Sequence, residues 1–353
     1  MKTPYDNQPD TAFWRRSVAD VPPGRLDPVV KSRFQLDSTT RVATAGSCFA
    51  QHISRNLSIL GINPLVTESA HELTGHWAGD FQYGLYSARY GNVYSARQMR
   101  QLFERAFGLR VTLEDYWLRP DGTWADPYRP ALPGGFVSRG EAERDRERHL
   151  SAVRRMFEQL DVLIFTLGLT EVWESCVDGS VLPVVPGAVA GEFVVGKYRF
   201  VNLGLKEVVE DLMALLGLMK SVNASAKILL TVSPVPLVAT ATGEHVLVAT
   251  TYSKSVLRVA AHEVVAASTD ADYFPSYELI TGLHMGNSAF EPDLRSVRQV
   301  AVEYVMQVFN RHYTHGVEGT RTPIEATDYD SIGETRRALE LICEEEANDA
   351  QGR

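Results

Sequence analysis

Asp161-Val162-Leu163-Ile164-Phe165-Thr166-Leu167 is a short run apolar on both faces, the pattern of a strand buried in the middle of a parallel sheet. Ahead of it, Gly140 to Leu160 reads as a strongly charged helix whose inner face carries Leu150, Val153, Phe157 and Leu160. Behind it, residues 174–201 alternate weakly and carry Gly and Pro turns, which predicts an inserted hairpin. Leu205 to Met219 predicts a helix. Lys227-Ile228-Leu229-Leu230-Thr231-Val232-Ser233 predicts a further buried strand, stopped by Pro234 and Pro236.

The same alternation continues outward. Arg41-Val42-Ala43-Thr44-Ala45-Gly46 reads as a short strand, followed by a helix from Cys48 to Leu60 with Phe49, Ile53, Leu57 and Leu60 on one face. Gly61 ends that helix, and Ile62-Asn63-Pro64-Leu65-Val66 reads as a second short strand. Ser95 caps a helix over 96–107. On the carboxyl side, a helix is predicted over 253–267, a short strand ending at Asp272-Tyr273-Phe274-Pro275, a helix over 297–309 and a surface helix near 331–345.

Strands that alternate with helices imply an α/β fold, a three-layer α/β/α arrangement with a short parallel sheet and loop and hairpin insertions. The expected organisation is an extended arm over 1–34, an α/β domain over 35–310 with insertions at about 109–137 and 174–201, and an acidic tail over 311–353.

The chain has 353 residues, 35 basic and 44 acidic, for a net charge of −9, and no long basic run. Nucleic acid and anionic membrane are therefore not expected partners, because both demand a positive patch. Cys48, Cys176 and Cys343 are scattered and show no ligand spacing, so no metal and no disulfide framework is expected, and no cofactor. The polar amino terminus has no apolar leader, and no run is long enough to span a bilayer. The cytoplasm is the expected compartment.

In parallel sheets ligands sit beyond the carboxyl ends of the strands. That rule directs attention to Ser47, the Gly168 turn and the loops after Ser233 and Tyr273. Ser47 follows a strand and opens a helix, where backbone N–H groups point at a developing anion. By spacing alone, a serine there reads more simply as a helix cap.

Gly46-Ser47-Cys48-Phe49-Ala50 resembles the signature of the GSCFA family, a group similar to SGNH/GDSL hydrolases. Tyr90-Gly91-Asn92-Val93-Tyr94-Ser95-Ala96-Arg97-Gln98 resembles a second block of that family. Phe165-Thr166-Leu167-Gly168-Leu169-Thr170-Glu171-Val172-Trp173 resembles a third, and Val232-Ser233-Pro234-Val235-Pro236-Leu237 a fourth. Tyr252-Ser253-Lys254-Ser255 and Asp272-Tyr273-Phe274-Pro275-Ser276-Tyr277-Glu278 continue the match, in order, from about residue 35 to 305.

The resemblance implies an SGNH-hydrolase-like fold, with Ser47 as nucleophile and Gly91, Asn92, Gly168 and Thr170 around the oxyanion. Thr170 stands where the type has an amide donor, and Asp293-Leu294-Arg295-Ser296 stands where it has Asp-x-x-His. A serine nucleophile needs a base. His245, in the loop after the Ser233 strand, is the leading candidate and His284 the alternative; His71 and His76 are further possibilities. Glu171 is the carboxylate expected to orient the base. Cys48, in the first helical turn, is a rival nucleophile, and Trp117, Trp124, Tyr128, Tyr83 and Tyr86 form a candidate sugar platform.

The implied function is serine-dependent acyl-ester chemistry, as esterase or O-acyltransferase, on a small-molecule or carbohydrate ester. The alternative is a catalytically degenerate domain that binds a glycan or a protein.

Overall fold

The computed structural model describes residues 3–22, 24–62, 64–70, 81–286 and 288–315. His71, His76, Cys343 and the helix expected near 331–345 lie outside the described residues. Four strands, β1 (Val42–Gly46), β4 (Val162–Leu167), β8 (Lys227–Val232) and β9 (Ala271–Tyr273), form a parallel sheet in the order β1-β4-β8-β9. The register sets Thr44 beside Ile164, Ile164 beside Leu229, and Leu229 beside Asp272.

Strand side chains alternate faces, and the two faces bury different partners. Ala43, Ala45, Leu163, Phe165, Ile228, Leu230 and Val232 point into one core. That core is shared with α2 (Ala96–Ala106), α3 (Arg139–Gln159), α4 (Leu205–Val222) and α5 (Val246–Ala267). Val42, Val162, Ile164 and Leu229 point into the other, against α1 (Ala50–Ile59), α6 (Ser276–Thr281) and α7 (Gln299–Tyr313). The fold is a three-layer α/β/α. Both faces of β4 are covered, which is why its sequence is apolar at nearly every position.

Two insertions decorate this frame. The strands β2 (Trp117–Leu118) and β3 (Trp124–Ala125) pair as a small hairpin. The expected 174–201 hairpin is an antiparallel sheet of three strands, β5 (Glu171–Ser175), β6 (Val181–Leu182) and β7 (Tyr198–Asn202), in the order β6-β5-β7. Trp117, Tyr128, Leu182 and Tyr198 pack the two insertions against each other. Buried ion pairs lock the first insertion to α3: Arg129 meets Asp126 at 2.9 Å and Asp145 at 2.8 Å, and Arg146 meets Asp126 at 2.7 Å.

The segment ahead of β1 contains a short 3-10 turn (Asp10–Ala12) and a π-helical turn (Arg15–Ala19), and it buries Leu26, Phe34 and Leu36 in the second core. The Leu36 N–H donates to the carbonyl of Tyr313 at 2.6 Å, so α7 continues past residue 309 to a buried end. α5 starts at Val246 rather than Ser253. Its first turns are rich in Val and Thr, whose branched side chains lower helix propensity, and packing overrides that local preference.

Pro64 bridges to Val42 on the side of β1 opposite β4, and the Leu65 N–H donates to the Val42 carbonyl at 2.8 Å. The chain therefore leaves β1 toward one edge and returns to form β4 on the other side. This reversal of direction creates a crevice at the carboxyl ends of β1 and β4, the place where open α/β sheets bind ligands.

Candidate active site

The crevice begins at Gly46, the last residue of β1. Its φ is +146°, and a Cβ there would collide with the Thr166 carbonyl oxygen and stand 2.8 Å from the Thr166 nitrogen, so only glycine allows β1 to lie this close to β4. The Ser47 N–H donates to the same oxygen at 3.2 Å. The Ser47 carbonyl then accepts from the Ala50 N–H at 2.8 Å, turning the chain into α1.

The Ser47 hydroxyl is not a helix cap. The cap position of α1 is Phe49, with no side-chain hydrogen bond, and Ser47 Oγ is buried without a hydrogen-bond partner among the described residues. Leaving a buried hydroxyl unsatisfied costs about 1–3 kcal/mol, so such a group calls for an explanation.

Ser47 lines a narrow cleft of about 230 Å³, counting its open mouth, with Cys48, Tyr94, Gly168, Ser233 and Lys254. Leu169, Val235, Pro236 and Leu237 complete its walls. Gly168 is held tightly. A Cβ there would sit 3.1 Å from Ser47 Cβ and 3.2 Å from the Tyr94 ring, and the Gly168 N–H donates to the Tyr94 carbonyl at 2.8 Å. Lys254, on the buried side of α5, donates from Nζ to the Gly168 carbonyl at 2.5 Å and is 3% exposed. Ser233 follows β8 and is also buried.

Of the residues picked out from the sequence, Ser47 and Gly168 meet in the cleft together with the rival nucleophile Cys48. Gly91 and Asn92 lie just behind it. The Val93 N–H donates to the Gly46 carbonyl at 2.8 Å, and the Tyr86 hydroxyl stands within donating reach of Asn92 Oδ1 (2.8 Å) and the Ser47 carbonyl (3.1 Å). That loop is further anchored by Arg89, paired with Glu68 at 3.2 Å and Asp145 at 2.8 Å.

The other candidates stand apart from the cleft lining. Thr170 is fully buried, its hydroxyl donating to Asn202 Oδ1 at 2.7 Å and its N–H to Ser253 Oγ at 3.0 Å. Glu171 accepts from Thr240 Oγ1 at 2.6 Å and the Ala241 N–H at 3.2 Å. His245 is exposed and caps α5, Nδ1 accepting from the Leu247 N–H at 3.2 Å. His284 follows α6, its Nε2 3.1 Å from the Leu279 carbonyl; partial burial pushes its pKa down, while that carbonyl pulls the other way. Asp293 closes a local turn onto the Arg295 and Ser296 N–H groups, both at 2.9 Å.

The aromatic residues expected to form a platform are largely interior. Trp117, Tyr128 and Tyr86 are buried, and Tyr83 stacks under the Arg89 guanidinium at 4.2 Å. Lys254, Tyr94 and Ser233 are polar cleft residues that the sequence reading quoted within the family blocks without giving them a role. Among the described residues no group of three or more His, Cys, Asp and Glu side chains is placed to hold a metal ion, and no helix is long and apolar enough to cross a membrane.

No curated protein matches this chain. Among solved structures it is similar to one provisionally described as a platelet activating factor from Streptococcus pneumonia, at 11% identity and a TM-score of 0.28, over 61% of this chain and 92% of that one. A likeness that loose carries no argument. The profile of the GSCFA family matches residues 41–309, a span that runs from the strand before Ser47 into α7 and includes every wall of the cleft. The chain belongs to the GSCFA family.

Proposed function

We propose that the cleft carries out serine-dependent acyl-ester chemistry of the SGNH/GDSL type, with Ser47 as nucleophile and Lys254 as its base. One observation carries this reading: a serine whose buried hydroxyl has no partner among the described residues lines the same small cleft as a buried lysine whose amine donates to the Gly168 carbonyl, at the reversal point of a parallel sheet. Serine–lysine pairs are a recurring form of the activated nucleophile, and a lysine withdrawn from water is the kind that serves as base.

The steps balance without a cofactor. Neutral Lys254 takes the Ser47 proton as Oγ attacks the ester carbonyl. The resulting ammonium then stands beside the tetrahedral oxyanion and stabilises it, with the Ser233 hydroxyl as a second donor. Collapse expels the alcohol, which takes the proton from Lys254 and leaves an acyl-enzyme. Water (esterase) or a hydroxyl such as that of a carbohydrate (O-acyltransferase) then gives up its proton to Lys254, which returns it to Ser47 Oγ as the acyl group leaves. Entry requires the cleft walls to yield, because Ser47 Oγ is buried as the structure stands.

A fluorophosphonate probe tests this reading. Wild type is expected to take up one label, Cys48→Ala to keep it and Ser47→Ala to lose it. Labelling that persists in Ser47→Ala, or a wild type that neither labels nor cleaves any aryl ester, overturns the assignment; the second result favours a domain that binds without turnover.

A further inference from the structure

A second concavity lies beside the cleft, and Leu169 and Leu237 line both. It is the larger, about 830 Å³ counting its open mouth. One wall is the antiparallel insertion, with Val172, Trp173 and Leu182; the other is the strap from Leu237 to Ala241. Trp173 is braced by Phe193 and Phe200, with ring centroids 5.4 and 5.6 Å away.

Its one charged side chain is already occupied. Glu171 is the one charged side chain of the lining, and both carboxylate oxygens bind the strap, through Thr240 Oγ1 and the Ala241 N–H. A sugar ring needs unoccupied hydrogen-bonding groups to fix its orientation. A hydrocarbon chain needs only shape and apolar surface, which Val, Leu, Pro, Ala and Trp side chains supply here. The Glu171–strap bonds thus hold the groove open instead of reading a polar ligand.

We infer that this groove is the acyl-chain subsite of the enzyme, and that the substrate is a medium-chain acyl ester rather than an acetyl ester. The inference rests on the reading of Ser47 as nucleophile. With the ester carbonyl at Ser47, the chain passes Leu169 and Leu237 and lies along Trp173. Each buried methylene gains about 0.8 kcal/mol, which is roughly fourfold in kcat/KM.

The experiment has two arms. In the first, p-nitrophenyl esters from acetate to decanoate are compared on wild type and on Ala239→Phe, which adds a ring at an exposed position of the strap that lines the groove. Wild type is expected to gain several-fold for each added methylene over the middle of the series. Ala239→Phe is expected to lose that gain while keeping acetate turnover and fluorophosphonate labelling. In the second arm, octanoate is titrated into wild type, Ser47→Ala and Ala239→Phe by calorimetry. Binding is expected to wild type and Ser47→Ala alike, and to weaken at least tenfold in Ala239→Phe.

A flat chain-length profile in a working esterase, or octanoate binding indifferent to Ala239→Phe, overturns the groove assignment and leaves Ser47 untouched. Octanoate binding of the expected pattern without any labelling or turnover upholds the groove and overturns the nucleophile.

Discussion

Lys254 Nζ donates to the carbonyl oxygen of Gly168 across 2.5 Å, joining residues 86 positions apart in the chain. Its neighbour Ser253 accepts from the Thr170 N–H at 3.0 Å. α5 therefore grips the turn after β4 from two consecutive residues and sets the Gly168 wall of the cleft against Ser47.

That double role separates into two variants. Lys254→Met removes both the proposed base and the partner of a buried carbonyl; ester turnover is expected to fall by about 10²–10⁴ and stability by roughly 1–3 kcal/mol. Lys254→Arg can still donate to Gly168, but its guanidinium stays protonated and cannot accept the serine proton. It is expected to recover most of the stability and none of the turnover. Urea denaturation and kcat on a short aryl ester read the two effects. A Lys254→Arg protein that turns over like wild type would show that the lysine only positions the Gly168 turn.

Gly46 and Gly122 offer a matched test of how closely β1 must approach β4. Both have positive φ, +146° and +83°. A Cβ at Gly122 meets nothing within 4 Å, so Gly122→Ala is expected to cost only the backbone strain, about 1–2 kcal/mol. A Cβ at Gly46 collides with the backbone oxygen of Thr166 and meets its nitrogen at 2.8 Å, and a strand cannot swing aside as a side chain can. Gly46→Ala is expected to cost more than about 4 kcal/mol, in the range where folding itself fails. Urea midpoints of the two proteins decide it; equal costs would mean that β1 can slide away from β4.

The sheet was legible because its strands obey one rule along their whole length. β4 and β8 are buried on both faces and read as unbroken apolar runs, and the helices between them keep their period. Ser47 was legible as well, since a glycine at a strand's end followed by a small polar residue and a helical stripe marks a tight turn. The base was not. A helix that starts at Ser253 leaves His245 in a loop, whereas the real helix starts at Val246 and converts that histidine into its exposed cap. One signal was present: Lys254 precedes Leu257 by three residues and Ala260 by six, so it falls on the stripe that meets the sheet. A charged residue on a buried stripe needs a partner, and that partner comes from a turn far away in sequence, which periodicity does not report.

Acid should loosen α1, the helix that Ser47 opens, before it touches the carboxylates. His52 sits on α1 against Phe49, ring centroids 5.5 Å apart, with Nε2 buried and without a partner among the described residues. Burial, helped by the charge of Arg55, pushes its pKa down to about 4 from an ordinary 6.5. Above pH 6.5 the ring is neutral in the folded and the unfolded chain alike, and proton binding favours neither. Between pH 6.5 and 4 only the unfolded chain takes the proton, so stability falls as pH falls, by on the order of 1–3 kcal/mol. His149, whose pKa burial and Arg129 also lower, adds to the loss with the same sign. Glu68 sits low, at about 2: burial pushes it up, but the charge and hydrogen bond of His149 and the charge of Arg129 outweigh that, so its contribution is lost progressively as pH falls from about 4.5 to about 2. His52→Phe keeps the contact with Phe49 and removes the titration. Its urea-derived stability is expected to fall less steeply than wild type from pH 6.5 to 4.5 and to run parallel below pH 4. Identical slopes for the two proteins across the upper window would mean that His52 takes up its proton without disturbing α1.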